Sequence, residues 1–189
     1  MLSPSRFSTL VNNFSRVDLL DAEEIVAFRS SASDLQLNDT SVTVAEQRSY
    51  LHSYIERERR GSELYLKSTS LNSGQTTAYF RLMGGESPSH FNWGSLVASP
   101  ASTPVERLDV ILAAYGWGFT FNSASQCGPF PVLRTNTRII KLHDRMGLAD
   151  RVDATDDLNI WFQVDRDRYL TSLRDSWSRR GIGVLREVN

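Results

Sequence analysis

The chain has 189 residues, of which 40% are hydrophobic and 23% charged, a composition that suits one globular domain with its own core. The 21 Lys and Arg residues against 22 Asp and Glu residues give a formal charge of -1, which argues against nucleic acid or an acidic membrane as a partner. Cys127 is the only cysteine and no apolar run is long enough for a membrane span or a signal peptide, so we expect a cytoplasmic protein without an internal disulfide.

The N-terminal third predicts a loose arm, a strand and two helices. Residues 1–15 are rich in Ser and Asn and are expected to form a loosely held arm. Residues 16–20 predict a first strand, and Asp21 is placed to cap the helix after it. Thr43-Val44-Ala45-Glu46 has the spacing of a capping box and predicts a helix to about Arg60.

The segments that follow predict a hairpin. Residues 63–68 and 76–83 are rich in strand-forming residues and flank the turn Leu71-Asn72-Ser73-Gly74, which is the pattern of two antiparallel strands. No repeat or low-complexity linker interrupts the chain, so residues 1–189 are expected to form a single domain.

The central segment predicts strand, helix, strand and helix in that order. Residues 91–98 are apolar enough for a buried strand. Thr103-Pro104-Val105-Glu106 then has the pattern of a helix start, with Pro at the first helical position and Glu three residues after the Thr cap. A second apolar run, residues 130–133, precedes Thr135-Asn136-Thr137 and a short helix that Gly147 is placed to end.

The C-terminal segment predicts a last strand and a helix. Apolar and polar residues alternate over residues 157–164, as in a half-buried strand. Residues 166–180 have apolar residues at helical spacing, and Gly181 is placed to end this helix. The helical extension could cover the domain or pair with a second copy, so a homodimer is one of the expected arrangements.

The central segment also resembles the GNAT acetyltransferases. Pro100, Asn136 after a further 36 residues, and Leu142-His143-Asp144-Arg145-Met146-Gly147-Leu148 match the spacing of that family's strand end and of its Asn-x-x-Ala-x-x-Leu-Tyr-x-x-x-Gly-Phe helix. The resemblance covers roughly residues 16–165 in element order. Ala27-Phe28-Arg29 and residues 43–54 point to the branch that includes ribosomal-protein and amino-sugar acetyltransferases.

This resemblance implies a fold, a ligand and a set of site residues. The fold is α/β, a mixed, mostly antiparallel sheet flanked by helices. The ligand is acetyl-CoA or another acyl-CoA, bound without a metal by the main chain of residues 96–98 (Leu96, Val97, Ala98) and by Asn136. His143 stands where the family has the tyrosine that protonates the departing thiolate, and Arg29 matches an arginine on the acceptor side.

The loop that wraps the coenzyme's pyrophosphate departs from the family pattern. The family has a basic residue or Gln followed by glycines, where this chain has Thr103, Pro104, Glu106 and Leu108. Pro104 removes an amide donor, and Glu106 puts a carboxylate where an anion would bind, at a cost of ~1 kcal/mol near the surface. Thr103 and Arg107 are the candidates for phosphate contact that remain.

Each candidate side chain has an ordinary structural explanation as well. His143 could pack on the inner face of its helix, and Asn136 could cap that helix. Arg107 could be an exposed helix arginine, and Arg29 could form an ordinary salt bridge.

Neither a general base nor a metal site can be named from the pattern. Asp18, Glu86 and Asp157 qualify as a base by element position alone. The three histidines are scattered and Cys127 stands alone, so no metal-ligand spacing is present.

Two functions follow from the sequence. The first is an N-acyltransferase that moves an acetyl or other acyl group from coenzyme A to an amine of a small molecule or to a protein N-terminus. The second is a non-catalytic binding or regulatory module that kept the fold after the coenzyme loop was lost.

Overall fold

The computed structural model describes residues 6–31, 42–85, 89–147, 150–152, 156–172 and 182–187. Its helices are α1 (Ala22–Ser31), α2 (Val44–Arg59), α3 (Pro104–Gly116), α4 (Thr137–Met146) and α5 (Arg166–Ser172). Its strands are β1 (Phe7–Ser8), β2 (Asn12–Arg16), β3 (Glu63–Ser70), β4 (Thr76–Gly84), β5 (His90–Ala98), β6 (Gln126–Leu133), β7 (Asp150–Val152), β8 (Asn159–Asp165) and β9 (Arg186–Glu187). A 3-10 helix at Leu19–Asp21 leads into α1, and a π-helical turn at Trp117–Phe121 continues α3.

The described strands form one mixed sheet in the order β7-β8-β6-β5-β4-β3-β2-β1-β9. β5 and β6 are the parallel pair, and the other neighbours are antiparallel. α1 and α2 bury Ile25 and Leu51 on one face of the sheet, and α3 buries Val110 and Tyr115 on the other. This arrangement confirms the predicted α/β fold with a mostly antiparallel sheet flanked by helices.

The helix starts follow the sequence pattern. Thr43 and Thr103 cap α2 and α3 through the two predicted capping boxes. Asn136 caps α4, and Gly147 ends it in the left-handed region at φ 57°. The predicted hairpin is present as β3 and β4. None of the helices in the described ranges is long and apolar enough to cross a membrane.

The C-terminal elements agree with the prediction where they are described. β8 covers the predicted alternating strand with a start two residues later than expected, and α5 begins at Arg166 as expected. The rest of the predicted helix, residues 173–180, and its stop at Gly181 lie outside the described residues.

The N-terminal residues differ from the predicted loose arm. Residues 7–16 include β1 and β2, which join the sheet, and the strand predicted for residues 16–20 is wrong because β2 ends where that strand was to begin. Phe7 and Phe14 are buried and stack with ring centroids 4.6 Å apart. Burying each phenyl ring contributes about 2 kcal/mol, which outweighs the polar composition around them. Residues 1–5 lie outside the described residues.

Asp109 connects three separate parts of the chain inside the core. Its side chain in α3 is fully buried. One carboxylate oxygen accepts hydrogen bonds from Thr9 Oγ1 at 2.7 Å and Asn12 Nδ2 at 2.8 Å, and the other accepts from the Gly183 amide at 2.7 Å. Burial raises the pKa of Asp109, while the three donors act in the opposite direction. The carboxylate therefore ties the β1–β2 turn and the segment before β9 to α3.

We expect Asp109→Ala to lower the free energy of unfolding by about 3 kcal/mol, because three hydrogen-bond donors lose their acceptor in the core. Urea unfolding followed by circular dichroism measures this. Asp144→Ala is the control, since the half-exposed Asp144 pairs with Arg151 at the surface and its loss should cost about 0.5 kcal/mol or less. Equal small effects of both variants would contradict the structural role of Asp109.

Candidate active site

β5 and β6 separate after a short paired region. They pair at His90–Gln126 and Phe91–Cys127, and the rest of these two described strands forms no ladder between them. Gly118 lets the Phe91 ring pack at the joined end, since a Cβ on Gly118 would lie 2.2 Å from that ring. The other ends of the two strands, which lead toward α3 and α4, therefore stand apart with a gap between them.

The main chain of β5 faces this gap with groups that have no partner in the part of the chain that the structure describes. Ser99 N–H donates to Thr77 C=O at 2.8 Å, so this part of β5 bonds β4 through odd-numbered residues. Because successive residues of a strand direct their N–H and C=O groups to opposite sides, both main-chain groups of Ala98 and the C=O of Leu96 point into the gap. Val97 pairs with β4, and its side chain is buried on the α1/α2 face.

Pro131, the second proline of β6, is compatible with this separation. Arg134 N–H donates to Leu158 C=O at 2.9 Å, and β8 pairs with the preceding residues of β6 in the same register. By alternation, position 131 faces the gap and not β8, so Pro131 lacks an amide donor on the side that has no partner strand.

Half-buried apolar side chains lie on the two strands that form the gap and on the helices that follow them. They belong to β5, β6, α3 and α4, and each packs against the main core while keeping some exposure. They are Leu96, Ala98, Leu108, Phe130, Leu142 and Met146. An apolar cleft with main-chain donors and acceptors along one wall can hold an extended, uncharged chain that contains amide groups.

The start of α3 is occupied by its own cap. Thr103 N–H donates to Glu106 Oε2 at 2.7 Å, and Thr103 Oγ1 accepts from Glu106 N–H at 3.2 Å. The Ser70 hydroxyl, together with the amide and hydroxyl of Thr103, lowers the pKa of Glu106. Pro104 supplies no amide. This helix start therefore carries a carboxylate and offers an anion few free N–H groups.

Arg107 holds the loop before α3. Its Nε donates to Ser102 Oγ at 2.7 Å, and its Nη2 donates to the carbonyls of Ser99 and Pro100 at 3.1 and 3.2 Å. The side chain thus bonds the loop. It is not the freely exposed helix arginine that the sequence offered as an alternative.

His143 has the contacts of a packed core histidine. It is 1% exposed and stacks on Phe162 with ring centroids 4.9 Å apart. Its Nδ1 lies 3.0 Å from Ile139 C=O, so this nitrogen carries the proton, and Nε2 accepts from Tyr115 O–H at 2.8 Å. Burial lowers the pKa of His143, against smaller opposing effects of Ile139 and Asp144. These contacts are those of a structural histidine, and the expected role of His143 as proton donor to a thiolate stays a prediction.

The remaining candidates keep mainly structural contacts. Asn136 Oδ1 accepts from Ile139 N–H at 3.3 Å as the cap of α4. Arg29 is half-buried in the last turn of α1 and lies near Tyr65. Asp18 caps the 3-10 helix that precedes α1. The sequence predicted instead that Asp21 would cap the first helix. Glu86 lies outside the described residues, and within the described ones no group of three His, Cys, Asp or Glu side chains could hold a metal.

A β-bulge in β5 was not foreseen. The pairs Tyr79–Val97 and Arg81–Gly94 leave one extra residue on β5, and Ser95 lies in the left-handed region at φ 52°. Arg81 Nε donates to Ser95 Oγ at 2.9 Å. The available signal was Gly94, since a glycine inside a strand often marks a bulge.

The fold is that of the GNAT acetyltransferases. The apo form of FdhC, a nucleotide-linked sugar GNAT, matches with a TM-score of 0.80 and 22% identity over 94% of this chain and 98% of that one. A ribosomal-protein-alanine acetyltransferase from Vibrio fischeri matches with a TM-score of 0.68 and 10% identity over 88% of this chain and 99% of that one. A mutant of the spermidine N-acetyltransferase SpeG from Vibrio cholerae matches with a TM-score of 0.65 and 10% identity over 85% of this chain and 96% of that one. No protein-family model matches the sequence, and no curated protein is similar to it in sequence.

The Tyr115–His143 hydrogen bond gives a first prediction for this region. His143→Phe should cost about 2 kcal/mol of unfolding free energy at pH 8, because the Tyr115 hydroxyl is left buried without an acceptor. Adding Tyr115→Phe should recover most of this loss, since both polar groups are then absent. Urea unfolding of the two single variants and the double variant measures the coupling. Additive losses in the double variant would contradict the bond.

The lowered pKa of His143 gives a second prediction. The unfolded chain binds a proton near pH ~6.5 and the native state resists it, so stability is complete above that pH and falls as the pH decreases toward the native pKa. Between pH 7.5 and 5.5 the wild type should lose about 1 kcal/mol more than the double variant lacking His143 and the Tyr115 hydroxyl. His52→Gln, at an exposed position on α2, should retain the wild-type decline. Parallel curves for wild type and double variant would refute this.

Proposed function

We propose that this protein transfers an acyl group from an acyl-coenzyme A to an amine. The observation that carries the proposal is the gap between β5 and β6, with both main-chain groups of Ala98 and the C=O of Leu96 on its wall. The likeness to solved acetyltransferases supports it at the level of the fold. The thioester arm would lie along residues 96–98, with its amides in place of the missing strand.

The chemistry needs little from the protein beyond position. The amine nitrogen attacks the thioester carbonyl, the C–N bond forms, the C–S bond breaks, and a proton passes from the nitrogen to the departing sulfur. Main-chain donors that hold the carbonyl stabilise the negative charge on its oxygen during attack. We assign no proton donor, because both ring nitrogens of His143 already have hydrogen-bond partners inside the protein.

The coenzyme's diphosphate would have to bind without the usual support of the helix start. Thr103 is engaged in its capping box, and Glu106 repels an anion there. Arg107 is the cation near the start of α3. It would contact a phosphate either while it bonds the loop carbonyls or after releasing them.

The acceptor belongs to the amines, and its identity is a further proposal. Among proteins of the same fold, the printed names include a nucleotide-linked sugar, a ribosomal-protein alanine and spermidine. These names favour a small-molecule amine or a protein N-terminus as the acceptor.

The second candidate is a binding or regulatory module without catalysis. The capped, carboxylate-bearing start of α3 favours it, because a phosphate would meet Glu106 where an acyl-CoA enzyme usually offers free amides. This candidate predicts no acetyl-CoA binding at all.

Calorimetric titration with acetyl-CoA distinguishes the two, and Ala98→Pro tests the proposed grip. The acyltransferase should bind acetyl-CoA, and Ala98→Pro should weaken binding about tenfold, because it removes the amide that points into the gap. Ala98→Ser keeps that amide and should bind as the wild type does. No heat of binding to the wild type at millimolar acetyl-CoA would end the proposal.

Glu106→Gln tests the repulsion at the diphosphate. The substitution removes the charge and keeps a capping box, since Gln can replace Glu in it, so acetyl-CoA should bind about three times more tightly at low salt. Glu46→Gln makes the same change in the capping box of α2 and should leave the affinity unchanged. An unchanged affinity in Glu106→Gln would place the diphosphate elsewhere.

A further inference from the structure

A charged cluster lies on the α1/α2 face of the sheet, beside the bulge of β5. We call it the arginine cluster, and its members are Tyr50, Arg57, Glu63, Arg81 and Ser95. Glu63 is buried, with Arg57 Nε 2.6 Å from its Oε2 and Arg81 Nη1 3.2 Å from its Oε1. Arg81 Nη1 also donates to the Tyr50 hydroxyl at 2.7 Å.

The cluster carries one positive charge in excess. Two guanidinium groups, always protonated, share the single carboxylate of Glu63. The side chains of Arg57 and Arg81 are about one-third exposed, at 35% and 28%. Both guanidinium carbons lie near the Tyr50 ring, 5.0 and 5.9 Å from its centroid, which holds them in place at the surface. An excess cation in a fixed, partly desolvated position attracts an anion more strongly than a free surface arginine does.

The cluster has hydrogen-bond donors to spare. Arg57 uses Nε for Glu63 and Nη1 for Ser53 Oγ and also interacts with Tyr50, so these contacts do not use all five of its N–H groups. The Ser95 hydroxyl accepts from Nε and Nη2 of Arg81, so its own hydrogen is directed elsewhere. Ser95 is exposed and lies in the left-handed region at the bulge, a conformation that is uncommon for a residue other than glycine.

The position of the cluster connects it to the gap. Ser95 directly precedes Leu96, whose main chain faces the gap from β5. A ligand bound by Arg81 and Ser95 is therefore close to the place where a thioester would lie. An acceptor must bring its amine to that carbonyl, so a contact at this distance suits the non-reacting part of the acceptor.

We infer that the arginine cluster binds a phosphate group of the acceptor, so the acceptor is a phosphorylated or nucleotide-linked amine. This inference rests on the proposed acyltransfer and specifies its second substrate. The Arg57 and Arg81 guanidinium groups supply charge, and the remaining N–H groups of Arg57 and the Ser95 hydroxyl supply donors. A polycationic acceptor such as a polyamine is disfavoured by the same excess charge.

The test uses a pair of variants with opposite expected effects. Calorimetry measures the affinity of the intact protein for UDP, with and without saturating acetyl-CoA. Arg57→Gln lowers the excess charge to zero and should weaken UDP binding at least fivefold. Glu63→Gln raises it to two and should tighten binding about twofold or more. Arg59→Gln, which breaks an exposed ion pair with Glu56 on the same helix, should change nothing.

Opposite changes in UDP affinity in these two variants distinguish a binding role of the cluster from a purely structural one. If the cluster only stabilised the fold, Arg57→Gln and Glu63→Gln would both weaken binding, and that result would overturn the inference. Ser95→Ala provides a variant at an exposed position that leaves the ion pairs intact, and it should weaken UDP binding about threefold. Unchanged binding in both Ser95→Ala and Arg57→Gln would likewise overturn the inference.

Further outcomes identify the ligand and separate this inference from the proposed acyltransfer. Inorganic diphosphate that binds as tightly as UDP would identify the phosphate alone as the group recognised, and tighter binding of UDP would identify a nucleotide. UDP binding that acetyl-CoA abolishes would belong to the coenzyme's own site and would overturn the subsite. If the charge variants behave as expected while acetyl-CoA fails to bind, the proposed acyltransfer fails and the phosphate subsite stands.

Discussion

The proposed acyltransfer depends on one feature of the sheet. The parallel strands β5 and β6 pair at two positions and then separate. In a continuous sheet the C=O of Leu96 and both main-chain groups of Ala98 would bond β6, and no ligand could reach them. Because β6 pairs with β8 and leaves β5 after Cys127, those groups stay available between the two strands. Unpaired main-chain groups are costly in a protein interior, so a ligand that satisfies them gains affinity from the fold itself.

The two sides of β5 differ in charge. At the start of α3, Glu106 remains ionised in its capping box, and the loop carbonyls of Ser99 and Pro100 occupy Arg107. On the opposite face, two arginines share one carboxylate beside Ser95. On the proposed coenzyme side Glu106 balances the charge of Arg107, whereas the proposed acceptor side has one positive charge in excess. This contrast makes the acceptor, and not only the coenzyme, a candidate to carry phosphate.

The sequence predicted the elements whose signals are local. The capping boxes at Thr43 and Thr103, the hairpin turn before Gly74 and the alternation in β8 each depend on residues within a few positions of one another, and each is present. The resemblance through Asn136 and His143 predicted the correct fold because spacing reports the order of elements. It could not report that His143 is enclosed by Tyr115 and Phe162, since those partners come from other elements.

The parts that the sequence missed depend on contacts between distant residues. Thr9 and Asn12 are polar and suggested a loose arm, but their side chains bond Asp109, about a hundred positions along the chain. The arginine cluster joins residues from α2, β3, β4 and β5, and no spacing along the chain reveals that two of its cations share one anion. Gly94 was the single local signal of the bulge that positions Ser95.

Amide hydrogen exchange at individual residues of β5 tests the central claim most directly. In the free protein, the Ala98 amide should exchange much faster than those of Val97 and Ser99, which face β4. Saturating acetyl-CoA should protect the Ala98 amide and leave the other two unchanged. Slow exchange of all three amides in the free protein, or no protection by acetyl-CoA, would contradict a main-chain grip on the thioester arm.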